Sequence, residues 1–330
     1  MKYSKTKLWG VIAGLCLLAV IGTAWRLLPP SADGMRSSAV IVSQTSWHEV
    51  RIDGKPQLYF SGAIGDTALL GVTANRDSAA HRRLTTGCWT DRWPILPSCL
   101  GRVTAAYCAT PKAPHLKGDS AIVRLCRQSI ATQLKTLKAQ KTELDYYLRV
   151  HGVQDNGYQT IAALAQRVGT AYNDVARAGR LIDSLAAGKH HKFSIATATE
   201  YAATFRDNEG RIKRLSLKPV FADSRRHFMT LQTADGKTPD GATPLAPAIW
   251  DCHKERDIRA VGFPGLGEQG LECDTVAPTV IAGHRGKDGR HDLPRILASD
   301  GSPVFTAKGM FIGIVSGNAI AGNLKEEKKK

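Results

Sequence analysis

The residues best placed for chemistry lie in Ala298–Gly317, ASDGSPVFTAKGMFIGIVSG. Ser299, Asp300 and Ser302 crowd a turn punctuated by Pro303, and apolar, partly β-branched runs follow at Val304-Phe305 and Met310–Val315. This reads as tight turn, strand, Gly309 turn, strand. Acyl transfer needs a hydroxyl nucleophile, a histidine to take its proton, a carboxylate to orient that histidine, and two N–H groups for the oxyanion. Ser299 and Ser302 are the hydroxyls on offer, and His81 in DSAAHRR is the histidine that would have to serve them. Ser302 also suits a turn former, and His81 a surface histidine among arginines.

Other chemistries find less support. Cys88, Cys99, Cys108, Cys126, Cys252 and Cys273 show no C-x-x-C or H-x3-H spacing, so no metal site and no cofactor is expected. Six cysteines beyond the apolar N-terminus instead suggest disulfides in an oxidising compartment. Sequence does not choose the pairing. The formal charge is +16, partly from Lys2, Lys5 and Lys7 and from Lys325, Lys328, Lys329 and Lys330. No basic block is interleaved with aromatics, which argues against nucleic acid and toward anionic lipid or an acidic partner.

The elements that would position these residues come next. Residues 1–7 are a basic stub, and Leu8–Trp25 (LWGVIAGLCLLAVIGTAW) is almost purely apolar. That run sits at the lower limit of the about 17–25 residues a spanning helix needs. It predicts a single-pass signal anchor of the bacterial inner membrane, with the bulk translocated to the periplasm. Gly22-Thr23-Ala24 would allow cleavage and secretion instead. A linker fills 26–38. Strands are expected at Ala39–Ser43, Trp47–Ile52 and Gln57–Ile64, the last two joined by an Asp53-Gly54 hairpin turn. Leu84–Lys117, with three cysteines and several prolines, reads as a disulfide-stapled loop region, with Trp89 and Trp93 as its packing.

From Asp119 to Ala187 the period changes. Ile130, Leu134, Leu137, Leu144 and Leu148, then Ile161, Leu164, Val168, Ala171, Val175, Ala178, Ile182 and Leu185, follow heptads on either side of HGVQDNG (His151–Gly157). This predicts a helical hairpin, closed by Gly188. Its ends are marked by turn signals near Gly118 and Gly188, so it reads as a removable insertion. Strands resume at Phe193–Ala198, Tyr201–Arg206, Arg211–Leu217, Val220-Phe221 and Phe228–Thr233, with a DNEG turn at Asp207–Gly210.

Several of these strings together resemble the trypsin-like (chymotrypsin-fold) serine peptidases. The turn before Val304 resembles that family's G-D-S-G-[GS]-P-[VL] nucleophile loop. SGAIGDTALLGVTAN (Ser61–Asn75) resembles the segment that leads into its histidine, HFMTLQ (His227–Gln232) the segment that carries its aspartate, and IRAVGFPG (Ile258–Gly265) a later strand and turn. The resemblance covers roughly 39–110 and 192–318. It implies a mainly β chymotrypsin-like double β-barrel, in parts 39–118 and 188–320, with the α-helical hairpin 119–187 inserted between its halves, an N-terminal transmembrane helix at 8–25 and a basic tail at 321–330.

Carried over residue by residue, the resemblance puts Asp300 at the serine, Arg76 (or Asp77) at the histidine and His227 at the aspartate. A second frame through Val103–Cys108 (VTAAYC) would put Tyr107 at the histidine. It ranks lower because Pro94, Pro97 and Gly101 interrupt the approach to it. Ala298 replaces the oxyanion-loop glycine, whose backbone freedom alanine lacks. Arginine is no base near neutral pH. An Arg76–Asp300 ion pair in place of the triad is one structural alternative. The expectation is a membrane-anchored pseudopeptidase that binds a protein or peptide or serves as a scaffold. The alternatives are an active serine endopeptidase with an altered triad, and a rigid block in a surface or secretion assembly.

Overall fold

A computed structural model describes residues 29–93, 98–114, 116, 118–187, 191–246, 256–266 and 277–322. The expected anchor at 8–25, the closing Gly188, and Cys252 and Cys273 lie outside the described residues. Within them, no helix is long and apolar enough to cross a membrane. The chain forms two compact units: Met1–Gln44 with Arg83–Ala109 and Glu200–Lys330, and Thr45–Arg82 with Thr110–Thr199.

The described residues form fourteen strands and four helices, and the fold is mainly β. In chain order the first group is α1 (Ala32–Ser38), β1 (Ala39–Ile52), β2 (Lys55–Phe60), β3 (Gly62–Ile64), β4 (Ala68–Leu70), α2 (Arg76–Ala79), β5 (His81–Thr90) and β6 (Arg102–Ala106). The helices α3 (Asp119–Val150) and α4 (Tyr158–Ala187) follow, then β7 (Phe193–Arg206), β8 (Ile212–Asp223) and β9 (Phe228–Thr233). The last group is β10 (Asp257–Gly262), β11 (Thr279–His284), β12 (Pro303–Thr306), β13 (Phe311–Ser316) and β14 (Ala319–Ala321). One sheet runs β2-β1-β5-β6-β9-β8-β7, and β1 also pairs with β7, so six strands close into a barrel. The second sheet, β11-β10-β12-β13-β14, is not closed by any strand pairing among the described residues. Only one of the two expected barrels is therefore closed among the described residues.

The first unit holds three apolar clusters. Val40, Val42, Trp89, Ala203, Phe205, Leu217 and Leu231 fill the barrel, with Trp89 edge-on to Phe205 at 5.5 Å. Val261, Phe263, Phe305 and Ile314 join a cluster that includes Ile41, Cys88 and Phe228. Ile258, Ala260, Val304, Ile312 and Val315 pack on Leu293 and Ala298. The five-stranded sheet is thus covered on both faces, which is why β13 reads as a continuous apolar run instead of alternating.

Several expectations shift. The strands expected at 39–43 and 47–52 are one strand, because β1 is paired on both sides and its buried polar residues Gln44 and Ser46 do not interrupt the ladder. Asp53-Gly54 makes the hairpin turn with φ of 51° and 81°, the positive values a tight turn of this class requires. The region read as a stapled loop instead supplies β5 and β6. Gly101, with φ of 59°, turns the chain into β6 instead of breaking it. Pro219 is tolerated in β8 because it sits at a register shift. Cys88, Cys99, Cys108 and Cys126 are free thiols, so no disulfide joins them. Cys88 and Cys126 are packed as small apolar side chains, and burial raises the Cys126 thiol to about 12.

The second unit explains the helices. Their boundaries match the expected hairpin, but they sit between β6 and β7, two strands of the same barrel, and not between two halves. Ile122, Leu125, Cys126, Ile130, Val175, Ala178 and Ile182 share one core with Val50, Ile52, Leu58, Phe60, Leu69 and Val72. Polar contacts reinforce it. Ser129 Oγ accepts from Leu69 N at 2.8 Å, Gln133 Nε2 donates to Leu69 O at 3.3 Å, and Asp119 Oδ1 accepts from Phe193 N at 2.9 Å. The helices are therefore half of a core and not a detachable insertion. Replacing Asp119–Ala187 by a Gly/Ser linker will expose the sheet side of that core, and β2 to β4 will become protease-labile with loss of circular dichroism. Ile182→Ala alone should cost about 2–5 kcal/mol by denaturant unfolding; a folded, protease-resistant deletion variant would show the hairpin to be dispensable.

Candidate functional site

The first unit gathers the end of β6, the start of β9 and the turn before β12. Ala106 pairs with Phe228, and Tyr107 N donates to His227 O at 3.0 Å. His227 closes the turn from β8 to β9 with φ of 55°, and its side chain is exposed. That turn is built by Asp223, whose carboxylate accepts from Arg225 N, Arg226 N and Arg226 Nε. The side-chain bond from Arg226, then its amide, holds the carboxyl below its usual range. The Arg226 guanidinium lies over the Phe228 ring at 5.1 Å and the Phe221 ring at 6.0 Å.

The turn Ser299–Ser302 is seated on the middle of β5 and the end of β6. Gly301 has φ of 89°, and a Cβ there would lie 1.8 Å from the Thr86 carbonyl oxygen and 3.0 Å from Ala106 N. Only a residue with no side chain allows this approach. Ser299 Oγ and Thr86 Oγ1 share a hydrogen bond at 2.7 Å. Asp300 Oδ1 accepts from Gly317 N at 2.8 Å. Ser302 is 0% exposed, and its Oγ has no partner among the described residues. The amides of Ala298, Gly301 and Ser302 donate to the Pro294, Val315 and Ser299 carbonyls. They hold the turn and are not free for an oxyanion.

The structure thus brings near one another the backbone at Tyr107, His227 and the Ser299–Ser302 turn. Arg76 belongs to the other unit. There it begins α2, capped by Asn75 Oδ1 on Asp77 N, pairs with Asp77 at 3.3 Å and lies over the Trp47 ring at 5.0 Å. His81 is in that unit too, with Nε2 3.0 Å from Ser61 O. The first frame rested on Thr73-Ala74. The equivalent string Thr104-Ala105 lies on β6, which pairs with β9.

Thr86, Gly317 and His291 escaped sequence reasoning. Thr86 lies on a strand that its polar start, His81-Arg82-Arg83, disguised. His291 N donates to Asn318 O at 3.0 Å, its Nδ1 accepts from Leu293 N at 3.2 Å, and its Nε2 is buried without a partner among the described residues. Burial lowers its pKa below the usual 6.5, against smaller opposing effects of Asp292 and Asp300. Cys108 follows Tyr107, is buried, and has its thiol raised by burial.

No family model matches the chain, and no curated protein matches it. Among solved structures it is similar to Deg5, at 10% identity over 82% of this chain and 77% of that one, with a TM-score of 0.31. It is also similar to the MamO protease domain from Magnetospirillum magneticum in its apo form, at 16% identity over 37% of this chain and 68% of that one, with a TM-score of 0.25. Both are trypsin-like serine protease folds, but overlaps this loose carry no argument about the present chain.

Two outcomes follow from this geometry. Gly301→Ala should lose about 3 kcal/mol or more of stability by denaturant unfolding, through an unfavourable φ and an overfilled contact. A loss within about 0.5 kcal/mol would mean the turn is not seated as described. For His291, the unfolded chain takes up its proton first as pH falls below about 6.5, so the folded state loses stability from there down to the lower folded-state pKa. His48 is lowered by burial too and adds the same sign. The unfolding free energy of His291→Gln should therefore decline less between about pH 7 and 5 than that of the unaltered protein; equal slopes would refute the assignment.

Proposed function

We propose that this chain is a trypsin-like domain that has lost acyl-transfer chemistry and works by holding a protein or peptide partner. The observation that supports this most is the state of the hydroxyls at the turn. Ser302 Oγ is fully buried and faces no base, and Ser299 Oγ is engaged by Thr86. Asp300, which the resemblance puts at the nucleophile, has its carboxylate bonded to Gly317 N. Tyr107, His227 and Asp300 include no serine, threonine or cysteine for a histidine to activate. Binding is favoured by the second sheet. Among the described residues its edge strand β11 pairs with no strand other than β10, and an extended peptide can add to such an edge. Anchoring by Leu8–Trp25, with the bulk outside the inner membrane, is part of the same proposal.

The protein should not react with a fluorophosphonate probe and should not hydrolyse a peptide library. Stoichiometric labelling that disappears in Ser302→Ala or Ser299→Ala would overturn the reading in favour of a serine endopeptidase. Peptides selected by display should lose binding to Val280→Pro, which removes a backbone donor from β11. Unchanged binding would place the peptide elsewhere.

A further inference from the structure

The second unit carries a groove of about 900 Å³ along α3 and α4, bordered on one side by Gly71–Thr73. Its apolar lining includes Val72, Leu137, Ala163, Ala171 and Val175. Three threonines that line it have turned their hydroxyls inward on their own helices: Thr132 to Gln128 O at 2.9 Å, Thr136 to Thr132 O at 3.2 Å, and Thr170 to Gln166 O at 3.0 Å. With the hydroxyls used in this way, the surface offers methyl groups rather than donors.

Arg167 and Asp174 also line the groove, and among the described residues neither has a side-chain hydrogen bond or ion pair. They are seven residues apart on α4, so they share a face about 10 Å apart along the axis. From Ala163 to Val175 the groove follows α4 for about 18 Å. That is the length of some twelve helical residues. Two packed helices with an apolar channel beside their seam are the setting in which a third helix docks.

We propose that this groove takes an amphipathic helix from a partner polypeptide, one with a small-to-medium apolar stripe and two opposite charges two turns apart that answer Arg167 and Asp174. The opposite charges fix both register and direction, since only one orientation pairs both. This site is separate from the turn at Asp300 and does not rest on the loss of catalysis there.

The test uses the full-length protein and four labelled helical peptides of about 18 residues with one common Leu/Ala stripe. They carry Lys then Glu seven residues on, Glu then Lys, two Lys, or two Glu, and binding is read by fluorescence anisotropy. Both mixed-charge peptides should bind about threefold or more tighter than both like-charge peptides, each in the direction that pairs both charges. In Arg167→Asp the two-Lys peptide should become the tightest binder, with circular dichroism unchanged. Failure of every peptide to bind, equal binding of mixed-charge and like-charge peptides, or no change of preference in Arg167→Asp would overturn the proposal. So would a dimer of the protein that Arg167→Glu dissociates, because the occupant would then be a second copy.

Discussion

Gly301 has room for a hydrogen and nothing more, and the first unit is arranged around that fact. The turn it belongs to lies against the Thr86 carbonyl and the Ala106 amide. From that seating follow the Ser299–Thr86 hydroxyl pair, the Asp300–Gly317 bond and the burial of Ser302. A hydroxyl that serves as a nucleophile needs both a base and access. The close approach that holds this turn in place uses one hydroxyl as a structural partner and buries the other.

A similar economy holds in the second unit. The β2 end of the large sheet has apolar residues, Leu58 and Phe60, that need a cover, and the helices supply it. Long helical hairpins have little stability by themselves, since most helical stability comes from packing an amphipathic face. Here the face of α3 near Ile122–Ile130 and that of α4 near Val175–Ile182 are buried, whereas distal residues such as Leu164, at 44% exposure, are not. The helices thus belong to the fold at one end and present surface at the other.

Much of this was legible in the sequence. Heptads gave both helices within a residue or two, because a repeat of 3.5 is written in the chain itself. Asp53-Gly54 gave its turn, and Phe228–Thr233 its strand, because turn residues bound a short run of β-formers. Val304-Phe305 and Met310–Val315 of the second sheet were placed for the same reason, whereas β11 and β14 were not. The turn that carries Asp300, with the two strands after it, was likewise read from a local string.

What the sequence could not settle was which segments meet. Thr73-Ala74 and Thr104-Ala105 are alike locally. Tyr107 lies beside His227 because β6 pairs with β9, more than a hundred residues further along the chain. β5 was missed because its polar first residues lack alternation, and its hydrogen bonds come from β1 and β6. The free state of the described cysteines, the packing of the helices on the β2 end of the large sheet, and the strand order of the second sheet are likewise matters of distance in space. By itself the sequence determined periods, turns and residue types, which depend on neighbours within a few positions. Tertiary structure alone decided which strands meet, because hydrogen-bond pairing and close packing between remote strands carry no local signature.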